Sequence, residues 1–347
     1  MRRLLLVLFV TLVCAGSASA YPWPFKPFDR QHPIRGFFGD PRTVYENGIL
    51  AGAFSGPAFI SFHQGVDISA PNGTPIYAVE NGKIHYLGAA TINLATGQDV
   101  TFQYFHIIPI VGEGQQVIAR KTVLGYVQPP FGHVHLTEID GSHAVNPLQP
   151  GHLGPYRDRT KPHVKEVIVR NQSGDVQTPV GVCGRVEIDV DAFDSQPMPV
   201  PGTYHNLPVS PALVQWSLMR LGGKVVVPLK TVWDVRQVVP PNGKFFDNYA
   251  KGTYENSPRF GAQQYSGMPG RYLFLLAPNF DTTNLANGNY LITVRVADVR
   301  GNATTATDRL NVLNAKGSTC PGSLPAPPTS EPPTSEPPDA SSSPVQP

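Results

Sequence analysis

Apolar and polar residues alternate in short runs along most of the chain, and no stretch of the first half sustains a helical period. "TPIYAVE", "KIHYLGAA", "VTFQYFHIIPI" and "HVHLTEID" each read as a strand bounded by Gly, Asn or Pro. Asn81-Gly82 stands between the first two and is a strong hairpin signal. Strand-like runs resume further on in "VKEVIVR", "RVEIDVDAF", "ALVQWSLMR", "KVVVPLKTVWDV", "RYLFLLAP" and "NYLITVRVADV". Their irregular spacing and alternation predict a β-sandwich. The fold class expected is therefore all-β, an antiparallel β-sheet domain followed by a sandwich.

Punctuation between these runs divides the chain. Residues 21–32, "YPWPFKPFDRQH", are a Pro- and aromatic-rich lead-in without periodicity. The first β domain is expected over 33–150 and the sandwich over 165–316. Between them 151–164 is a linker, part of the Pro- and Gly-rich run "NPLQPGHLGPYRDRTKPH". The segment "GNYLITVRVADVRGNATTATDRLNV" is similar in pattern to the last hairpin of bacterial immunoglobulin-like or fibronectin-like domains, so the sandwich is expected to be immunoglobulin-like. Residues 317–347 repeat Pro-Pro-Thr-Ser-Glu and hold almost no apolar residue, which predicts a disordered tail.

Composition sharpens this picture at three points. The chain has 347 residues, with apolar residues at 41% and charged residues at only 15%, enough to bury a core in each of two domains. A net charge of +2 gives no reason to expect nucleic acid as a partner. The start, "MRRLLLVLFVTLVCAGSASA", has the form of a signal peptide over 1–20: Arg2 and Arg3, then an apolar run from Leu4 to Val13, then Ala18-Ser19-Ala20 as the cleavage site. The run is short for a membrane span, and Val13 disfavours lipid attachment at Cys14. Secretion without membrane insertion is expected. Cys183 and Cys320 then remain as an even pair in an oxidising compartment, and a disulfide between them is expected. Nothing in the pattern demands more than a monomer.

The chemistry is concentrated in three short motifs. "GHVHLTE" sets His133 and His135 on one face of a strand, about 6.5–7 Å apart along the chain. That spacing is awkward for two rings on one metal and suits one ring on a metal with the other beside its water or substrate. "SFHQGVDIS" adds His63 and Asp67, and "FQYFHII" adds His106. Two histidines and one carboxylate with an open position form a catalytic layout for zinc. Zinc lowers the pKa of its water and polarises a carbonyl. An unligated histidine can deprotonate that water or hydrogen-bond the oxyanion.

These motifs, His63-Gln64-Gly65-Val66-Asp67, a lone His106 and His133-Val134-His135, resemble those of the lysostaphin/LytM-type zinc metallopeptidases, which cleave peptides of bacterial peptidoglycan. The flanks "GVDISAPNGTPIYAVENGKI" and "NPL" at Asn146 to Leu148 agree, so the likeness covers about residues 33 to 150. The resemblance implies that 33–150 is a zinc metallopeptidase domain, with His63, Asp67 and His135 as ligands of Zn2+. It implies His106 and His133 as the catalytic pair beside the metal, and peptidoglycan peptide as substrate in the cell wall. It does not divide the roles between those two. The stretch "VYENGILAGAFSGPAFISF" between Arg42 and His63 is long for a relative and can wall the cleft.

Other residues read more plainly. His32, His85, His143, His152, His163 and His205 are expected at the surface or satisfied in the core. Asp40 suits a turn ahead of Pro41, and Tyr104 core packing. Strand parity turns Glu138 away from His133 and His135. The rival readings are a catalytically silent LytM-like regulator, a two-histidine-one-carboxylate iron oxygenase, and an adhesion or wall-binding protein with a structural metal. Retention of all five motif residues weighs against the first, and the extra pair of histidines against the second. A structural zinc site closed by four protein ligands is unlike this pattern.

Overall fold

Period-two alternation decides the first core. In a computed structural model, which describes residues 20–46, 49–52, 60–177, 181–256 and 269–314, strand His133–Asp140 turns Val134 and Leu136 inward with no exposure. The signal-peptide reading (Ala20 apart), the tail from 317, Cys320 and residues 53–59 of the Gly-rich stretch lie outside the described residues. His133–Asp140 is central to an antiparallel sheet of eight strands. The order is Ile34–Gly36, Val66–Ser69, His133–Asp140, Val100–Phe105, Thr91–Ala95, Gly82–Gly88 and Gln116–Val117, with His143–Val145 also pairing to His133–Asp140. A smaller sheet, Ile107–Pro109, Val123–Val127 and Pro75–Tyr77, shares the core through Ile76, Ile107 and Leu124. Tyr21, Trp23 and Phe25 of the aperiodic lead-in are buried in the same core, as are Leu148, Leu153 and Tyr156 of the Pro- and Gly-rich run.

Two local readings are corrected here. The Asn81-Gly82 hairpin does not form, because Pro75–Tyr77 belongs to the small sheet and Gly82–Gly88 to the large one. The Asn81 side chain instead accepts the Ala119 N–H at 2.9 Å, and a Cβ at Gly82 would meet the Ala95 carbonyl oxygen. Long-range packing thus uses a turn dipeptide to pass from one sheet to the other. The run "VTFQYFHIIPI" is likewise two strands, Val100–Phe105 and Ile107–Pro109, in different sheets. The break falls on His106, whose φ of 61° is left-handed and costly for a residue with a Cβ.

All six strand runs read in the second half do form strands. Arg185–Ser195 pairs with His163–Arg170, Pro208–Val209 and Leu273–Asp281 in a five-stranded sheet. Leu213–Arg220 and Gly288–Ala297 are central to a four-stranded one. Ile188 and Val190 from one sheet meet Val214, Trp216, Ile292 and Val294 from the other in a second core. The expected last hairpin is there, Gly288–Ala297 with Ala303–Val312, its turn pinned by the Asp298 carboxylate accepting from the Arg300 and Asn302 N–H groups at 2.8 Å each. The sandwich is antiparallel as expected, while its immunoglobulin-like character remains a likeness of sequence pattern. Among the described residues no helix is long and apolar enough to cross a membrane.

The two cores are joined rather than merely tethered. Phe38 and Phe62 belong to the second core although they come from the first half of the chain, Phe38 from a turn and Phe62 from the strand Ser61–Phe62. The Phe62 ring lies 5.4 Å from Trp233, 5.3 Å from Phe245 and 5.9 Å from Tyr249. Strand Pro41–Glu46 pairs with Ser61–Phe62 in the register Pro41 to Phe62 and Arg42 to Ser61. Asp40 makes the expected turn by accepting the Phe37 N–H at 2.7 Å, and also reaches across to accept the Ser210 N–H at 2.7 Å. Asn146 donates its N–H to the Gln237 carbonyl at 2.7 Å and its side-chain amide to Val235 at 2.9 Å.

Because Phe62 fills the second core from a strand of the first, Phe62→Ala is expected to cost about 3–5 kcal/mol, the range for a buried aromatic truncated to alanine. Urea unfolding reads this directly, and an unchanged midpoint would show that the ring does not join the two halves.

Candidate metal centre

Sheet register brings the motifs together. Asp67 and His135 are paired directly across adjacent strands, so their side chains rise on one face about 5 Å apart. His63 follows Ser61–Phe62 and is fixed by backbone hydrogen bonds: its N–H donates to the Asp40 carbonyl and its carbonyl accepts from Gly39, both at 2.8 Å. Gly65 lies flat against the facing strand. A Cβ there would stand 2.7 Å from His135 Nε2 and closer still to the Leu136 carbonyl oxygen. The glycine therefore lets His63 and Asp67 approach His135 at all.

His63 Nε2 is 2.8 Å from His135 Nδ1 and 3.3 Å from Asp67 Oδ1, and His135 Nδ1 is 3.0 Å from the same oxygen. Such proximity suits a shared cation. Bonds of about 2.0–2.2 Å at tetrahedral angles would set donors about 3.3 Å apart. His63 Nδ1–H donates to the Phe37 carbonyl at 2.8 Å, which leaves Nε2 bare toward the other two. The Thr137 hydroxyl, 2.8 Å from His135 Nε2, is placed to accept that N–H and so bare Nδ1. Three donors of the type zinc takes thus meet at one point and fit that ion.

The electrostatics favour the protonation states that ligation needs. Burial lowers His63 to about 3, with Arg42 pushing the same way, so the ring is neutral. Burial alone would raise the Asp67 carboxyl, but the charged surroundings, with the Arg42 guanidinium against it, outweigh burial and hold it well below the usual carboxylate range. The other oxygen, Asp67 Oδ2, accepts from Arg42 Nη2 at 2.6 Å.

His133 and His106 stand beside this triad. His133 Nε2 is 3.5 Å from Asp67 Oδ1, and its Nδ1–H donates to the Phe131 carbonyl at 2.9 Å. Burial lowers its pKa. The His106 ring is 4.6 Å from that of His133 and stacks on Phe131 at 4.2 Å. Burial, then His133, lower His106 to about 3. All five motif residues line one cleft of about 470 Å³. Glu138 points the other way, as parity predicts, accepting from the Tyr21 hydroxyl at 2.7 Å and facing His152 Nδ1 at 2.8 Å. Tyr104 is fully buried, its hydroxyl accepting the Val79 N–H at 3.0 Å.

Sequence reasoning missed the cleft's cations and its far wall. Arg35 donates to the Phe131 carbonyl at 3.0 Å, approaches His133 Nε2 at 3.5 Å, and lies over the Tyr204 ring at 4.3 Å. Arg42 also reaches Glu255 at 3.4 Å. Tyr204, Asn242, Glu255, Asn256 and Tyr272 close the cleft from the second half. No periodicity or motif marks these residues, since only the tertiary fold brings them near.

Residues 61–147 match the family model "Peptidase family M23", the segment that carries the LytM-type motifs, and the resemblance drawn from them holds there. Solved structures similar to this chain include LytU (24% identity, 36% of this chain and 87% of that one, TM-score 0.26). A mutant catalytic domain of the prophage-encoded M23 protein EnpA from Enterococcus faecalis is 23% identical over 39% of this chain and 99% of its own, TM-score 0.27. A zinc-containing peptidase from Vibrio cholerae is 20% identical over 37% of this chain and 39% of its own, TM-score 0.29. No curated protein matches it.

If Gly65 is needed for the triad to close, Gly65→Ala will fold yet hold zinc at least about tenfold more weakly, the low end for disturbed ligand geometry. Competition with a chromophoric chelator measures the loss. Unaltered affinity would remove Gly65 from the account.

Proposed function

We propose that the chain is a zinc metalloendopeptidase that hydrolyses peptide bonds of bacterial peptidoglycan. The observation that carries this reading is the convergence of His63 Nε2, Asp67 Oδ1 and His135 Nδ1, with two further neutral imidazoles on one side. The family match supports peptidase chemistry, and the LytM-type motifs support peptidoglycan as substrate. His63, Asp67 and His135 would hold the ion, which when bound supplies a Lewis acid and an acidified water.

The other residues handle protons and position substrate. His133 already donates its Nδ1–H to the Phe131 carbonyl, so Nε2 is an acceptor and suits removal of a proton from water attacking the peptide carbonyl. His106, across from it, is assigned the hydrogen bond to the carbonyl oxygen as negative charge develops. The aromatic rings of Phe105 and Phe131 line the cleft wall against His135 and His106. Secretion through residues 1–20 and a bridge between Cys183 and Cys320 belong to the same proposal, since peptidoglycan lies outside the membrane where disulfides persist.

Metal content and cleavage of purified peptidoglycan test the assignment. His135→Ala is expected to lose both zinc and activity. His133→Ala should keep its zinc and lose about 100-fold or more in rate. A His133→Ala protein that cuts at the wild-type rate would refute its role, and a wild type that binds zinc without cutting would be the silent regulator instead.

A further inference from the structure

The Asp67 carboxylate is shared. Its Oδ1 faces the two ligand imidazoles, while Oδ2 lies 2.6 Å from Arg42 Nη2. Gly36 makes room for this pair, because a Cβ there would meet both Asp67 Oδ2 and, at 3.1 Å, Arg42 Nη2. Left alone, the Arg42 guanidinium would compete with a dication for the same carboxylate. It is not left alone: its Nη1 is 3.4 Å from Glu255 Oε2, with both side chains largely buried.

Glu255 comes from the second half of the chain and is firmly carried. Tyr254 exchanges two backbone hydrogen bonds with Arg271, at 3.0 and 2.9 Å. Asn256 donates to the Pro208 carbonyl at 2.7 Å and accepts the Gly270 N–H at 2.7 Å. Between these anchors, the Glu255 N–H donates to Thr43 Oγ1 at 3.1 Å, and Thr43 is itself buried in the strand that holds Arg42. The backbone and the side chain of Glu255 therefore both grip that strand.

We propose that Glu255 is a positioning residue of the metal centre: through Arg42 it fixes the Asp67 carboxylate and balances the arginine's charge, making the C-terminal half part of the site. This rests on the zinc reading above. A dication, Arg42 and the two carboxylates sum to one positive charge with Glu255 and to two without it. In a buried site of low dielectric that difference bears directly on cation affinity. Burial pushes the Glu255 carboxyl up, to about 8, against the pull of Arg42. A cation arriving next door favours its ionised form. Partners of a ligand in this position typically change metal affinity 10- to 100-fold when altered, here taken as about that range.

The test uses the full chain stripped of metal and titrated with Zn2+ against a chromophoric chelator, with Co2+ absorption reporting coordination geometry. Glu255→Gln keeps the shape and removes only the charge. It is expected to weaken Zn2+ binding about 10- to 100-fold, with little change in the unfolding midpoint of the metal-free protein, while Glu255→Asp recovers part of the loss. In an Arg42→Gln background the further change Glu255→Gln should cost less zinc affinity than it does in the wild type, because Glu255 acts through Arg42. Wild-type affinity in Glu255→Gln, or losses that simply add in the double variant, would overturn the proposal and leave the peptidase reading standing. A wild type that binds no zinc overturns both.

Discussion

One carboxylate holds the arrangement together. Asp67 is paired by sheet register with His135, by chain proximity with His63, and by an ion pair with Arg42. Each partner arrives by a different physical route: a cross-strand position, a turn made possible by glycine, and a strand of another sheet. Displacing the carboxylate by an ångström would take the third donor away from two imidazole nitrogens that stand 2.8 Å apart. So much convergent lone-pair density is unfavourable without a positive charge among it. The site is therefore strained toward a cation, and the surrounding packing has to resist its opening.

That packing comes from both halves. Phe62, one residue before His63, is anchored among Trp233, Phe245 and Tyr249, and Asp40 is stapled to Ser210. The backbone of Gly39 and Asp40 in turn holds His63. His63 is thus positioned by a core that the second half of the chain supplies. In physical terms the second half stiffens the site from behind, while Tyr204 and Glu255 reach its front.

The sequence made the strands and the candidate ligand motifs legible because both depend on local pattern. Alternation placed His133 and His135 on one face and Glu138 on the other, and the structure agrees. Failures came where tertiary contacts overrule local preference. Asn81-Gly82 looks like a hairpin, yet Ala119 takes up the Asn81 side chain and the chain crosses between sheets. His106 reads as part of a continuous strand, but its left-handed backbone swings it out of that alternation and over Phe131. Tyr21, Trp23 and Phe25 carry no period because they fill a core from an irregular segment. Arg35, Arg42 and Glu255 were illegible for a different reason: a lone charge has no pattern until its partner is known.

The pairing of Pro41 with Phe62 and of Arg42 with Ser61 has a consequence for how such a protein can diversify. It fixes the chain on either side of the Gly-rich stretch, right at the rim of the cleft. Closing a longer or shorter loop over a fixed staple changes the free energy only with the logarithm of its length. Insertions and deletions there leave His63 and Asp67 where they are while altering what a substrate meets on approach. The staple makes that segment a cassette, whose length and sequence can be rewritten by evolution or by grafting without moving the candidate ligands.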